Sequence, residues 1–298
     1  MTNGRHIPED VKRLVRQDCR FGCVICGMPL FEYDHIDDFA EVGEHEPANL
    51  VLLCPNHHRD KTADRLSRER VREGRRSPFN AGKSETSVYG IASAAQLDIW
   101  VGSNQVQGQK NAAEHFVVWI NGNPYVTIHR EGNAYTYSAL VTDDAGRVIL
   151  RIDHGELAVA TDVWDYRYEG RVLSIRSARG QILLEAEVAD HILKLSRGTF
   201  VDQHETGLLL EPGGAVVPTM SGLHVGSWER CRSIDNAAGA FAVVRRACFP
   251  HSPPHGFGFF RDWAAPYEQD AMALQKRMKD GAPDSYPKGL ETFRSYPR

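Results

Sequence analysis

Four side chains with an affinity for metal constrain this chain more than any other feature. Cys23-Val-Ile-Cys26 is followed, after a longer stretch, by Cys54-Pro-Asn-His57. Two such pairs suit tetrahedral zinc, because each tight turn chelates the ion and the ion clamps the turns together. Gly22 and Gly27 flank the first pair, as a tight turn requires. A segment of this size buries little core, so a zinc staple is expected to hold it folded. The fourth ligand is read as His57, but His58 is adjacent and Cys54-x3-His58 is an open alternative. A lone Cys-x-x-Cys is also the spacing of a redox pair; a third Cys and two His downstream argue for zinc. Cys19 is not needed and reads as a small buried residue.

A second set is interleaved with the first: Asp34, His35, Asn49 and His58, with Lys61 just beyond. Singly, none of these means anything. In order, inside a zinc-knuckle frame, Tyr33-Asp34-His35, Asn49-Leu50 and Cys54-Pro-Asn-His57-His58 resemble the HNH endonuclease family over residues 5–76. The chain departs from it at one point, since that family's knuckle usually carries four Cys and here His57 stands fourth.

The resemblance implies a ββα-metal fold, a short β-hairpin followed by one helix, and hydrolysis of DNA phosphodiester bonds. It implies that His35 is the general base, a task that an imidazole suits near neutral pH. It implies that Asp34 and His58 hold one divalent cation, magnesium or manganese, which serves the scissile phosphate. Asn49 would orient the His35 loop by hydrogen bonding without touching metal. Neighbours on a strand face opposite ways, so Asp34 would point to metal and His35 to water. Two alternatives stay open: a zinc-dependent nucleic-acid binder that does not cut, and a ligand-sensing β scaffold whose nuclease is normally off.

The expected helix begins near Pro55, which suits a first turn, and runs on through Arg72. Arg59, Lys61, Arg65 and Arg68 on it are candidate nucleic-acid contacts. From Arg59 to Arg76 there are eight Lys or Arg against four Asp or Glu, while the whole chain carries a net charge of −4. Attraction to phosphate must therefore be local. Alternating charges on a solvated helix face read the same way. A second basic cluster, Lys12, Arg13 and Arg16, lies on a short helix-like segment that Val11, Leu14 and Val15 would pack onto the zinc module. His6 and His45 read as surface residues, with a substrate contact the lesser alternative for His45, in the loop before Asn49.

The length suits two domains or one small and one sizeable, and 42% hydrophobic with 25% charged residues is globular composition. The fold class expected is α+β: an HNH module over 1–78, a linker over 79–83, an all-β sandwich or barrel-like domain over 84–230, and an irregular segment with one short helix over 231–298. Asn121-Gly122-Asn123 between His115–Ile120 and Pro124–His129 signals a hairpin, as does 143–146 between the next two apolar runs. Further strands are expected at 157–160, 172–176 and 181–188. Trp100, Trp119, Trp164, Tyr166 and Tyr168 suit a core better than a ligand pocket. The β domain is not recognised; target recognition or regulation, in restriction or antiphage defence, is a role by analogy. Double-stranded DNA is the expected partner, with a homodimer and a small-molecule or modified-base ligand of the β domain as options. No apolar run is long enough to cross a membrane, and cysteines committed to metal suit the cytoplasm. Cys231 and Cys248 are left over and read as two buried thiols, with a disulfide between them the alternative.

Overall fold

The computed structural model describes residues 6–91, 95, 97–106, 113–121, 123–143, 145–189, 191–202, 205–220, 223–224, 227, 229–230, 239–244 and 258–261. Cys231, Cys248, most of the Pro- and aromatic-rich segment 249–260, the helix expected at 267–279 and the tail beyond it lie outside them. The described α-helices are α1 (Glu9–Asp18), α2 (Phe39–Val42), α3 (Pro55–Thr62) and α4 (Arg68–Arg76), with one 3-10 turn at Pro47–Asn49. The strands run β1 (Glu32–His35), β2 (Leu50–Leu53), β3 (Tyr89–Gly90), β4 (Asp98–Val101), β5 (Asn104–Val106), β6 (Glu114–Ile120), β7 (Asn123–Glu131), β8 (Ala134–Thr142), β9 (Val148–Asp153) and β10 (Glu156–Val159). They continue β11 (Asp165–Glu169), β12 (Val172–Ala178), β13 (Gln181–Ala189), β14 (Ile192–Val201), β15 (Gly207–Leu210), β16 (Val216–Met220), β17 (Leu223–His224), β18 (Gly239–Val244) and β19 (Gly258–Arg261).

Two compact units result. One comprises Met1–Gly90, Glu156–Gly170 and Ser174–Gln181; the other comprises Ile91–Gly155, Arg171–Leu173 and Ile182–Arg298. The first carries all the described helices, and the second is built of strands, so the fold is α+β with a large all-β part.

In the first unit β1 and β2 pair antiparallel, with Asp34 opposite Val51 and His35 opposite Leu50. Leu50 to Leu53 are all buried, and Val15, Val24, Ile36 and Val71 close around them as one core. The apolar strand therefore anchors the hairpin while Asp34 and His35 on its partner stay half-buried. Helix α3 starts with Pro55 in its first turn.

The single long helix expected after Pro55 is two helices. Asp64 takes a left-handed φ of 54°, which Asp tolerates better than most residues. The Asp60 carbonyl accepts the N–H of both Arg65 and Leu66. Ser67 then caps α4 by accepting from the Arg70 N–H at 3.2 Å. The break lets Leu66 turn toward the core.

Helix α1 corrects a second expectation. It packs through Val15, but Leu14 is exposed and Arg16 is fully buried. Arg16 donates from Nε to Asp165 Oδ1 at 2.7 Å and from Nη2 to Asp165 Oδ2 at 2.9 Å, and it also bonds the Tyr33 hydroxyl. Around this pair Gln17 Nε2 donates to the Trp164 carbonyl at 2.7 Å, and the Tyr166 hydroxyl donates to the Pro29 carbonyl at 3.1 Å. Tyr166 and Tyr168 are buried, as expected of core. Segment 79–83 carries Asn80, buried, which donates to the Gly27 carbonyl at 3.0 Å.

In the second unit β6 to β9 form antiparallel neighbours, and the β6–β7 and β8–β9 connections fall where the sequence placed its turns. Asn121, at φ 47°, opens the first of these turns. Strand β18 lies parallel to β6, and β19 parallel to β18. A second set runs β13-β14-β15-β16-β17 antiparallel, with β4 parallel to β14. Parallel partners drawn from distant stretches left no local signal, because no tight turn connects them.

Candidate metal and nuclease site

The knuckle is assembled by two turns. Cys23 and Cys26 sit on a turn that closes through the Gly27 N–H to the Cys23 carbonyl at 2.7 Å. Gly27 has φ +78°, and a Cβ there would lie 2.2 Å from Asn80 Oδ1, so the position demands glycine. Ser87 Oγ donates to the Cys26 carbonyl at 2.7 Å and steadies the turn from outside. Cys54 and His57 come from the entry to α3.

The ligand atoms of Cys23, Cys26, Cys54 and His57 all lie within 4.8 Å of one another. Cys26 Sγ and Cys54 Sγ are 3.8 Å apart, and His57 Nδ1 is 3.4 Å from Cys23 Sγ and 3.2 Å from Cys54 Sγ. Zinc–sulfur bonds of ~2.3 Å give a tetrahedral edge of roughly 3.8 Å, slightly less where nitrogen replaces sulfur. The cluster therefore has the dimensions and donor set of a closed three-Cys, one-His zinc site. His58 turns the other way. Cys19 is buried in the core and outside the cluster, with burial pushing its thiol up to about 12.

The three thiols of the cluster are shifted in opposite directions. Cys23 is pushed down to about 5, chiefly because Cys26 donates a hydrogen bond to it. Cys26 is raised for the reciprocal reason, and Cys54 is raised by burial. A zinc ion held there would supply the charge that lets all three ionise.

Asp34 and His58 face each other, clear of the four-residue cluster. His58 Nε2 is 3.6 Å from Asp34 Oδ1, while its Nδ1 is 2.7 Å from Glu32 Oε2. Glu32 and Asp34 are two apart on β1 and share a face, so both reach one imidazole. With its Nδ1–H donated to Glu32, His58 presents an Nε2 lone pair to a carboxylate oxygen. That separation is too long for a hydrogen bond and close to the roughly 3.0–3.5 Å between two ligands of one cation. The donors present thus fit a divalent ion. Sequence reasoning missed Glu32; its signal was the i, i+2 spacing to Asp34.

His35 faces away from Asp34. Its Nε2 is 3.1 Å from His45 Nδ1. Burial first, then His45, holds the His35 imidazole below its ordinary pKa of 6.5. His45 is half-buried against Phe39, and so is not the surface residue expected. Asn49 Oδ1 accepts the Asp37 N–H at 2.8 Å and its Nδ2 donates to the Asp37 carbonyl at 2.9 Å. Asn49 thereby pins the chain just past His35.

The basic residues are mostly engaged. Lys61 Nζ lies 2.8 Å from Asp34 Oδ2 and donates to the His35 carbonyl at 2.6 Å. Arg65 pairs with Asp60, and Arg68 with Asp38 and Glu41. Arg59 is exposed and has no ion pair among the described residues.

Residues 18–64 match the family model of the HNH endonuclease. The match spans the knuckle, the β1–β2 hairpin and α3, and ends before α4. It gives this segment a nuclease-like or nucleic-acid-binding role. The remainder of the chain has no family match. No curated protein and no solved structure matches the chain. Among the described residues, no helix is long and apolar enough to cross a membrane.

Proposed function

We propose that this protein is a metal-dependent DNA endonuclease of the HNH type. One observation carries the reading: an imidazole lone pair and a carboxylate oxygen, His58 Nε2 and Asp34 Oδ1, face each other 3.6 Å apart beside His35. Asp34 and His58 would hold a magnesium or manganese ion, which when bound stabilises charge on the phosphate and the leaving oxygen. His35, kept neutral by burial, accepts the proton of the attacking water. Glu32 holds the His58 ring in its ligating tautomer. Asn49 fixes the backbone that carries His35. Zinc on Cys23, Cys26, Cys54 and His57 fixes the start of α3, and with it His58.

Arg59, Lys61, Arg65 and Arg68 are the proposed phosphate contacts on double-stranded DNA. Those held in internal ion pairs would exchange a carboxylate for a phosphate on binding. So small a module has few base-reading contacts, and selectivity falls to the β-rich part of the chain as a recognition or regulatory element. Restriction or antiphage defence is the setting that such a pairing suits, in the cytoplasm.

A second reading, a zinc-dependent nucleic-acid binder that does not cut, is favoured by Lys61 Nζ at 2.8 Å from Asp34 Oδ2. A cation already beside that carboxylate competes with a metal. The test is supercoiled plasmid with magnesium or manganese, wild type beside His35→Ala, both zinc-loaded. Nicking by wild type alone supports the nuclease. Equal absence of cutting by both, with retained plasmid binding, supports the binder.

A further inference from the structure

The HNH pattern does not assign His45, yet its ring lies within hydrogen-bond distance of the His35 ring. Its Nδ1 lies 3.1 Å from His35 Nε2, with the two rings 5.2 Å apart at centroid. Phe39 stacks on His45 at 4.6 Å and 20° and touches His35 at 5.3 Å. Helix α2, which carries Phe39, is closed by Gly43 at φ 75°, whose N–H donates to the Phe39 carbonyl at 2.8 Å. The same loop is anchored by Asn49 through Asp37 and by Arg68 through Asp38 and Glu41. His45 is thus held in place by an aromatic clamp on a tethered loop.

One proton lies between the two imidazoles, and its placement decides which nitrogen of His35 keeps a lone pair. If His45 donated, His35 Nε2 would lose its lone pair to the hydrogen bond. His35 Nδ1 would then carry a hydrogen with no acceptor among the described residues, and neither nitrogen could take a proton from water. If His35 donates, its Nδ1 lone pair is free.

We propose that His45 is the positioning residue for His35: His45 Nδ1 accepts the hydrogen of His35 Nε2, which fixes the tautomer and presents His35 Nδ1 as the proton-accepting atom. The proposal rests on the reading of His35 as general base, but the tautomer itself is measurable without cutting. His45 touches neither phosphate nor metal in this scheme, and acts only through His35.

The experiment uses the full-length, zinc-loaded chain labelled with 15N-histidine. Long-range proton–nitrogen correlation reports the tautomer of His35 in wild type, His45→Ala and His45→Asn. The Asn carbonyl oxygen sits where Nδ1 was and can accept the same hydrogen. The expected result is an Nε2-protonated His35 in wild type and His45→Asn, lost to a mixed or reversed tautomer in His45→Ala. An Nδ1-protonated His35 in wild type, or a tautomer unchanged by His45→Ala, overturns the proposal.

Plasmid nicking is the second readout. His45→Ala should lower kcat about 10–100-fold with KM within about twofold, as misplacement of a reacting group does, and His45→Asn should recover most of it. Full activity in His45→Ala overturns the proposal. Cutting by His35→Ala at the wild-type rate would instead sink the base reading, and the tautomer result alone would then decide the His35–His45 pairing.

Discussion

Arg16 and Asp165, 149 positions apart, form a fully buried bidentate ion pair, Nε to Oδ1 at 2.7 Å and Nη2 to Oδ2 at 2.9 Å. The unit that carries the Cys23, Cys26, Cys54 and His57 cluster is therefore not a contiguous stretch of sequence. A strand from the middle of the chain closes over α1, and through the Tyr33 hydroxyl Arg16 reaches the residue beside Asp34.

Removing one partner of such a pair leaves a charge buried without compensation. Asp165→Asn should destabilise the first unit by about 3–5 kcal/mol, read by urea unfolding at constant zinc. The double change Arg16→Met, Asp165→Leu should recover most of that loss. A single mutant of wild-type stability would show that water reaches Arg16.

Zinc should be lost in His57→Ala and retained in His58→Ala, measured as zinc per chain. Cys54, His57 and the start of α3 are one turn, so the metal-free protein should also unfold at lower temperature in its first unit. Zinc lost from His58→Ala alone would reverse the ligand assignment.

Zinc affinity should rise with pH. Without metal, Cys23 is held near 5 and is already a thiolate at neutral pH, whereas Cys26 and Cys54 are raised and protonated. Binding must expel those protons, so acid opposes it and alkali favours it. Competition with a chromophoric chelator from pH 6 to pH 8.5 would register the slope, and a flat profile would contradict it.

Cutting should gain with pH through a value below 6.5 and then level. Burial, followed by His45, lowers the His35 pKa, and a general base works only when deprotonated. Single-turnover nicking across pH 5 to 8 gives the curve. A rate that fell with rising pH over that range would rule out His35 as the base.

Glu32→Ala should weaken divalent-cation binding about 10–100-fold while leaving zinc in place, because His58 loses the acceptor that fixes its tautomer. Manganese titration by electron paramagnetic resonance separates this from a folding defect. Unchanged affinity would reduce Glu32 to a surface contact.

The chain order made much of this legible. Cys23, Cys26, Cys54 and His57 announce their shared geometry by spacing, since each pair lies within one turn. The hairpins of β6 to β9 announce themselves by turn residues between apolar runs. Glu32 was hidden because its i, i+2 spacing to Asp34 is common on any strand and gains meaning only once His58 is placed across from it. His45 was hidden for the same reason: loop length says nothing of where a loop folds back. The helix break at Asp64 was marked only by Ser67 and a residue tolerant of positive φ, and the surrounding Arg and Lys masked both.

By itself the sequence determined the local chemistry: a zinc knuckle, a two-strand hairpin with Asp34 and His35 on opposite faces, and a β-rich remainder. Turn propensity, side-chain alternation and ligand spacing act over a few residues and can be read from a few residues. The tertiary structure alone decided which charges are buried, that Arg16 belongs to Asp165, that Lys61 leans on Asp34, and that His45 meets His35. Those pairings depend on burial and on segments far apart in the chain, and desolvation exists only once the core has closed.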